Sequence, residues 1–145
     1  MAARINRESV KHMGEARLAK TPKPATVPRR VLVVEDNIDN ARLLAVLFAS
    51  LGHRVEYAIN AIVALDVAHR FLPEFVFLDL KLPDAHGAEV ARQLRRNPAL
   101  AATRIIAMTA SGQAEDHAAA LKGGCETVLM KPVPASVFEQ LLEGG

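Results

Sequence analysis

Five side chains in this sequence fall where they can do chemistry together. Glu35 and Asp36 follow an apolar run, Val31 to Val34. Asp79 closes a second run, Thr109 a third and Lys131 a fourth. Three carboxylates brought together repel one another and hold protons more tightly unless a cation lies between them. A hard divalent ion answers that need: Mg2+ takes about six oxygens, commonly one or two carboxylates with water and phosphate. The three acids offer only oxygen, and no His or Cys stands at these positions, which disfavours zinc. An ammonium and a hydroxyl at the same place suit the oxygens of a phosphoryl group. A carboxylate can act as nucleophile and carry an acyl phosphate. The chemistry implied is phosphoryl transfer to an aspartate. Taken singly, each position has a plainer explanation. An Asp at a strand end is commonly solvated, and Asp36 is placed to cap a helix beginning near Asn37. All five fall at strand ends together, which the plainer explanations do not account for.

Hydropathy patterning supplies the elements that would carry these residues. Val31 to Val34, Phe75 to Leu78, Arg104 to Met108 and Thr127 to Met130 read as strands. The first three are apolar on nearly every residue, as strands covered on both faces are. Val55, Tyr57 and Ile59 alternate as a further strand. Between them lie helical patterns over residues 37–51, 61–71, 88–96 and 112–122, with a last one over 134–142. Gly52, Pro73, Asn97-Pro98 and Gly123-Gly124 end the first four. Leu43, Leu44, Leu47 and Phe48 mark the inward stripe of the first helix; Ile62, Leu65 and Ala68 mark that of the second. Five βα units predict an α/β fold with a parallel sheet covered by helices on both faces. In such sheets ligands bind outside the carboxyl ends of the strands, which is where the five polar residues lie.

The 145 residues are about one domain's worth, half of them hydrophobic, with 25 Ala and no Trp. No apolar stretch approaches the roughly 20 residues of a membrane helix. Cys125 is the only cysteine, so an intramolecular disulfide and a Cys-cluster zinc site are excluded, and a reducing, cytoplasmic location fits. Charge is uneven. Residues 1–30 hold eight Lys/Arg against two acids, a net of +6, and the remainder has a net of −4. Residues 1–29 therefore read as a basic, Pro-containing, flexible tail, with a weak helix over Ser9 to Lys20, and residues 30–145 as the folded domain. Nucleic acid is an expected partner only through that tail. Phosphate-loop, dinucleotide, nucleophile-elbow and zinc-protease motifs are missing from the sequence.

From about Arg29 to Glu143 the sequence resembles the receiver domains of two-component response regulators. The likeness is carried by Val31-Leu-Val-Val-Glu-Asp-Asn37, Phe77-Leu-Asp-Leu-Lys-Leu-Pro-Asp-Ala-His-Gly87, Ile106-Ala-Met-Thr-Ala110 and Lys131-Pro132. It implies a flavodoxin-like fold with strand order 2-1-3-4-5. By position, Asp79 matches the phosphoacceptor, and Glu35 and Asp36 the acidic Mg2+ pair. The backbone carbonyl of Lys81 matches a further metal ligand. Thr109 matches the switch hydroxyl, Lys131 the phosphate-pairing lysine, and Pro132 a position where the family commonly has a cis peptide. The resemblance implies a phosphoacceptor rather than a turnover enzyme. Its donor would be a histidine kinase or histidine phosphotransfer protein, and a downstream protein would read the face formed by residues 112–143. The chain would be a monomer or weak homodimer. The Glu-Asp-Asn start followed by Asp39-Asn40 looks like receivers attached to hybrid histidine kinases.

The sequence departs from the pattern in places. Val128 stands where the fifth strand usually carries an aromatic that turns with the Thr. Lys81 and Ser111 occupy the positions that tune dephosphorylation, and Asn60-Ala61 replaces a common Asp-Gly. Three other readings compete: a receiver-shaped scaffold that signals without phosphate, a regulator whose basic N-terminal arm binds nucleic acid or another anionic partner, and a Mg2+-dependent phosphohydrolase, for which Lys81 would be a poor general acid/base beside Asp79. His69, His86 and His117 read as surface or boundary residues, and Arg92, Arg95 and Arg96 as a solvated basic face.

Overall fold

The computed structural model describes the backbone of Ala2–Ile5 and the whole of residues 27–144. In chain order the elements are β1 (Ala2–Ile5), β2 (Arg30–Val34), α1 (Ile38–Ser50), β3 (Arg54–Ala58), α2 (Ala61–Phe71) and β4 (Phe75–Asp79). Then follow α3 (Gly87–Arg95), a 3-10 turn (Pro98–Leu100), β5 (Arg104–Thr109), α4 (Ala114–Gly123), β6 (Thr127–Met130) and α5 (Ala135–Gly144). The sheet order is β1-β3-β2-β4-β5-β6. Strands β2 to β6 pair in parallel, so the five predicted strands lie in the order 2-1-3-4-5.

The sixth strand was not foreseen. The sequence sets residues 1–29 apart as a tail, whereas Ala2–Ile5 lies antiparallel on β3, with Ala2 opposite Ala58 and Ile5 opposite Val55. Without it β3 would be an edge with a row of unpaired N–H and C=O groups, which an extended segment satisfies. Four residues reading Ala-Ala-Arg-Ile are too short to carry a period. The helix expected over Ser9 to Lys20 and the prolines Pro22 and Pro24 lie outside the described residues.

Two cores flank the sheet. On one face α1 and α5 cover Val31, Val33, Val55, Tyr57, Phe75, Phe77, Ile106 and Met108. Phe48, Phe77 and Phe138 meet there with ring centroids 5.1 to 5.3 Å apart. Burying each ring stabilises by about 1.5–3 kcal/mol, and edge-on pairing adds about 1 kcal/mol. On the other face α2, α3 and α4 cover Leu32, Val34, Val76, Leu78, Ile105 and Ala107, using mainly Ala, Val and Leu. That face is built for close approach. A Cβ on Gly123 would lie 2.6 Å from the Ala88 carbonyl oxygen, so α4 meets α3 only because Gly stands there.

Ala-rich helices blur the inward stripe. Leu43 and Ile62 are 69% and 72% exposed, although both sit on the predicted apolar faces. The buried faces are Ala41, Ala45, Phe48 and Ala49 in α1, and Ala64, Val67, Ala68 and Phe71 in α2. Small residues let the helix axes come close to the sheet, so Ala outcompetes the larger residues for the interior. Arg95 likewise departs from its expected solvated role. Its guanidinium donates to the carbonyls of Gly124 (2.8 Å) and Thr103 (2.7 Å), tying α3 to two loops. Cys125 is buried, and burial pushes its thiol up to about 11 against a small opposing effect of Arg95. Among the described residues no helix is long and apolar enough to cross a membrane.

Candidate functional site

Parallel strands deliver their last residues to one edge, and the turn after each is short. Glu35 directly follows β2, its N–H bonded to the Ala58 carbonyl (3.0 Å), so the backbone fixes where its side chain starts. Asp36 is not the helix cap considered from sequence. Asn37 caps α1 instead, its side chain accepting the Asn40 N–H at 3.0 Å. That leaves the exposed Asp36 carboxylate available for the edge.

Asp79 is the last residue of β4, in register with Met108 of β5, so Thr109 emerges beside it one residue on. Lys131 follows β6 and donates its N–H to the Thr109 carbonyl at 2.8 Å. The expected cis peptide is present between Lys131 and Pro132.

The side chains converge. Ligand oxygens of Glu35, Asp36 and Asp79 all lie within 4.8 Å of one another. The Lys131 ammonium donates to Glu35 Oε2 at 2.6 Å and to Asp79 Oδ2 at 3.0 Å. Asp79 Oδ1 accepts the Lys81 N–H at 3.1 Å. Glu35, Asp79 and Thr109 are buried, while Asp36 and Lys81 are exposed. Burial pushes the Glu35 carboxyl above its ordinary value; the Lys131 hydrogen bond opposes this, and the neighbouring Asp79 charge adds to it. Burial is also the largest influence on Lys131 and pulls it down, but the hydrogen bonds and charges of Glu35 and Asp79 together carry it above its ordinary value. One ammonium thus faces three carboxylates. A cluster of oxygen donors with surplus negative charge, open on the Asp36 side, fits Mg2+. Glu35, Asp36 and Asp79 would hold it, with the Lys81 loop alongside.

Several supporting residues escaped the sequence reading. Asn40 donates to Glu35 Oε1 at 3.5 Å from the first turn of α1. Gly87 is required by closeness: a Cβ there would sit 2.5 Å from the Asp79 carbonyl oxygen and 2.8 Å from the Leu80 Cα. Asp84, in the loop after β4, accepts the N–H groups of Ala61 and Ile62 at 2.8 and 3.0 Å. It thereby pins that loop to the first turn of α2. Asp84 and Gly87 stand in the Phe77–Gly87 motif and Asn40 in the Asp39-Asn40 pair, but none was given a role there. Val128 is half-buried against the aliphatic core, with no ring at that place.

The fold and this edge together define a receiver domain. The profile of the response regulator receiver domain matches residues 31–143, and the chain belongs to that family. The polar-differentiation response regulator DivK of Brucella anthropi is 31% identical over 117 residues, covering 81% of this chain and 95% of that protein. The receiver domain of a sensor histidine kinase of Pseudomonas aeruginosa superposes with a TM-score of 0.74 at 28% identity. The match covers 81% of this chain and 97% of that one, whose structure has a magnesium ion coordinated in its active-site cleft. The chemotaxis response regulator CheY4 of Vibrio cholerae shares the fold, with a TM-score of 0.75 at 22% identity over 81% of this chain and 98% of that one.

Proposed function

We propose that this chain is a phosphoacceptor in a two-component pathway, receiving a phosphoryl group on Asp79. One observation carries the reading: three oxygen-only ligands within 4.8 Å, one of them the strand-end aspartate that Lys131 also holds. The donor is a histidine kinase or histidine phosphotransfer protein. A carboxylate oxygen of Asp79 bonds to phosphorus as the phosphorus–nitrogen bond of the donor histidine breaks, and the departing imidazole takes up a proton. Bound Mg2+ would supply charge neutralisation at the phosphoryl oxygens. Lys131 pairs with the new phosphoryl oxygens by charge, as it already pairs with Asp79. The Lys81 N–H keeps Asp79 oriented, and burial of Thr109 places a hydroxyl with little competing water at the same edge. Relocation of Thr109 then biases the face formed by residues 112–143 toward a downstream protein. The chain turns over no substrate of its own, and the cytoplasm is its place of work.

Intact-mass spectrometry after acetyl phosphate treatment tests this reading. Wild type with Mg2+ gains one phosphoryl group, whereas Asp79→Asn and metal-free wild type gain none. A folded wild type that gains nothing under any condition would leave the phosphate-independent scaffold as the better reading.

A further inference from the structure

Thr109 ends β5 and Ser111 lies in the loop after it; His117 Nε2 lies 2.9 Å from the Ser111 carbonyl, and a chain of side chains also ties this segment to the loop after β4. The Ser111 N–H donates to Thr109 Oγ1 at 2.9 Å. The Ser111 hydroxyl donates to Asp116 Oδ2 at 2.9 Å and also accepts the Gln113 N–H at 3.2 Å. Asp116 Oδ1 lies 3.2 Å from His86 Nε2. His86 is the N-cap of α3, and its Nδ1 accepts the Ala88 N–H at 3.0 Å. Because Nδ1 accepts, the proton of the neutral ring is on Nε2, and His86 donates to Asp116. His86 also sits on the acceptor's own loop, bridged to Lys81 through the backbone. The loop that carries Asp79 outward and the loop that carries Thr109 are therefore joined by His86, Asp116 and Ser111.

We propose that His86 is a positioning residue for the phosphorylation switch: through Asp116 and Ser111 it holds the Thr109 loop in its resting arrangement. The proposal rests on the phosphoacceptor reading above. The Asp116 carboxyl is held below its ordinary value, first by the Ser111 hydroxyl and then by His86, as expected of a charged node between two donors. From the β6 side Thr109 is held through its backbone, by the Lys131 N–H at 2.8 Å, and Val128 adds no ring there; the side-chain restraint on this loop comes from the α3 and α4 side. Moving Thr109 toward a phosphoryl group on Asp79 must carry Ser111 with it or break its bonds. A restraint that exists in the resting arrangement opposes the move, and removing it favours the phosphorylated state.

His86→Asn separates this role from simple helix capping. Asn is a good N-cap and accepts the Ala88 N–H, but it is too short to reach Asp116. In unphosphorylated protein, amide exchange followed by NMR reads the restraint directly. The Ser111 amide is expected to exchange about threefold to tenfold faster in His86→Asn, the size of one net hydrogen bond, with the melting temperature unchanged. With Mg2+ and a fixed, sub-saturating level of acetyl phosphate, the ratio of phosphorylated to unphosphorylated Asp79 rises by a similar factor. Asp116→Ala gives the same rise, and the double variant exceeds neither. Unchanged Ser111 exchange in His86→Asn overturns the proposal, as do additive effects in the double variant. Should wild type take no phosphate at Asp79, the phosphoacceptor reading fails and the switch role falls with it, while faster Ser111 exchange would still report the anchor.

Discussion

The two ends of the sheet are both ringed with charge, yet they are built on opposite terms. At the amino end Glu74 meets Arg29 at 3.2 Å and Arg30 at 3.4 Å, and Arg104 meets Glu126 at 2.6 Å. Three guanidiniums there face two carboxylates, all of them partly open to solvent. At the carboxyl end three carboxylates face the ammonium of Lys131, and two of them are buried. At the amino end both carboxylates are matched by guanidiniums, and the pairs tie elements together. The carboxyl end is not matched in this way, and what is missing from it is positive charge. A site for a cation and a phosphoryl group is legible as an electrostatic deficit, not as the presence of charged residues.

The sharpest way to break this contrast is to remove the ammonium. Lys131→Met leaves Glu35 and Asp79 buried and unpaired. It should cost about 2 kcal/mol in urea unfolding at neutral pH, reduced from the fully buried case because the Lys131 side chain is 26% exposed. Mg2+ should restore part of that loss, and it should raise the melting temperature of wild type by binding the folded state alone. Glu74→Gln probes the other end: a loss of under about 1 kcal/mol, as exposed ion pairs give, with the Mg2+-dependent rise in melting temperature intact.

The smallest effect comes from His53, whose Nδ1 accepts the Arg29 N–H at 2.9 Å. Burial lowers its pKa from the ordinary 6.5, Arg29's charge lowers it further, and Glu74's charge pulls weakly the other way. Below pH 6.5 the unfolded chain therefore binds a proton that the folded one resists. Stability is held above pH 6.5 and is lost as pH falls through the folded-state value. Chemical denaturation at a series of pH values should show this slope in wild type and a flatter one in His53→Gln.

How much of this was readable beforehand follows from what each residue needed. Buried parallel strands announce themselves as apolar runs, so β2, β4 and β5 and the polar residues ending them were legible; β6 read as an apolar run although it is only half-buried, and the sheet order was legible once the resemblance was recognised. Helix faces were less so, because Ala serves equally inside and outside; Leu43 and Ile62 were assigned inward because they fall at helical spacing with other apolar residues. β1 was invisible because its strand character comes from the edge of β3 rather than from its own four residues. His86 was set aside as a loop histidine for a related reason. Its role depends on Asp116, thirty residues away, and histidine is an unusual helix cap. Gly87 and Asp84 act through backbone, at distances that no pattern of side-chain types records.

Cys125 has a practical consequence. Its thiol is buried and pushed up to about 11, so almost none of it is thiolate at neutral pH, and the thiolate is the species that alkylating reagents capture. A cysteine introduced on the exposed surface can then take a fluorescent or spin label while the native one stays silent. Since the chain contains no Trp, such a label would give it the optical reporter it lacks, without first replacing a core residue.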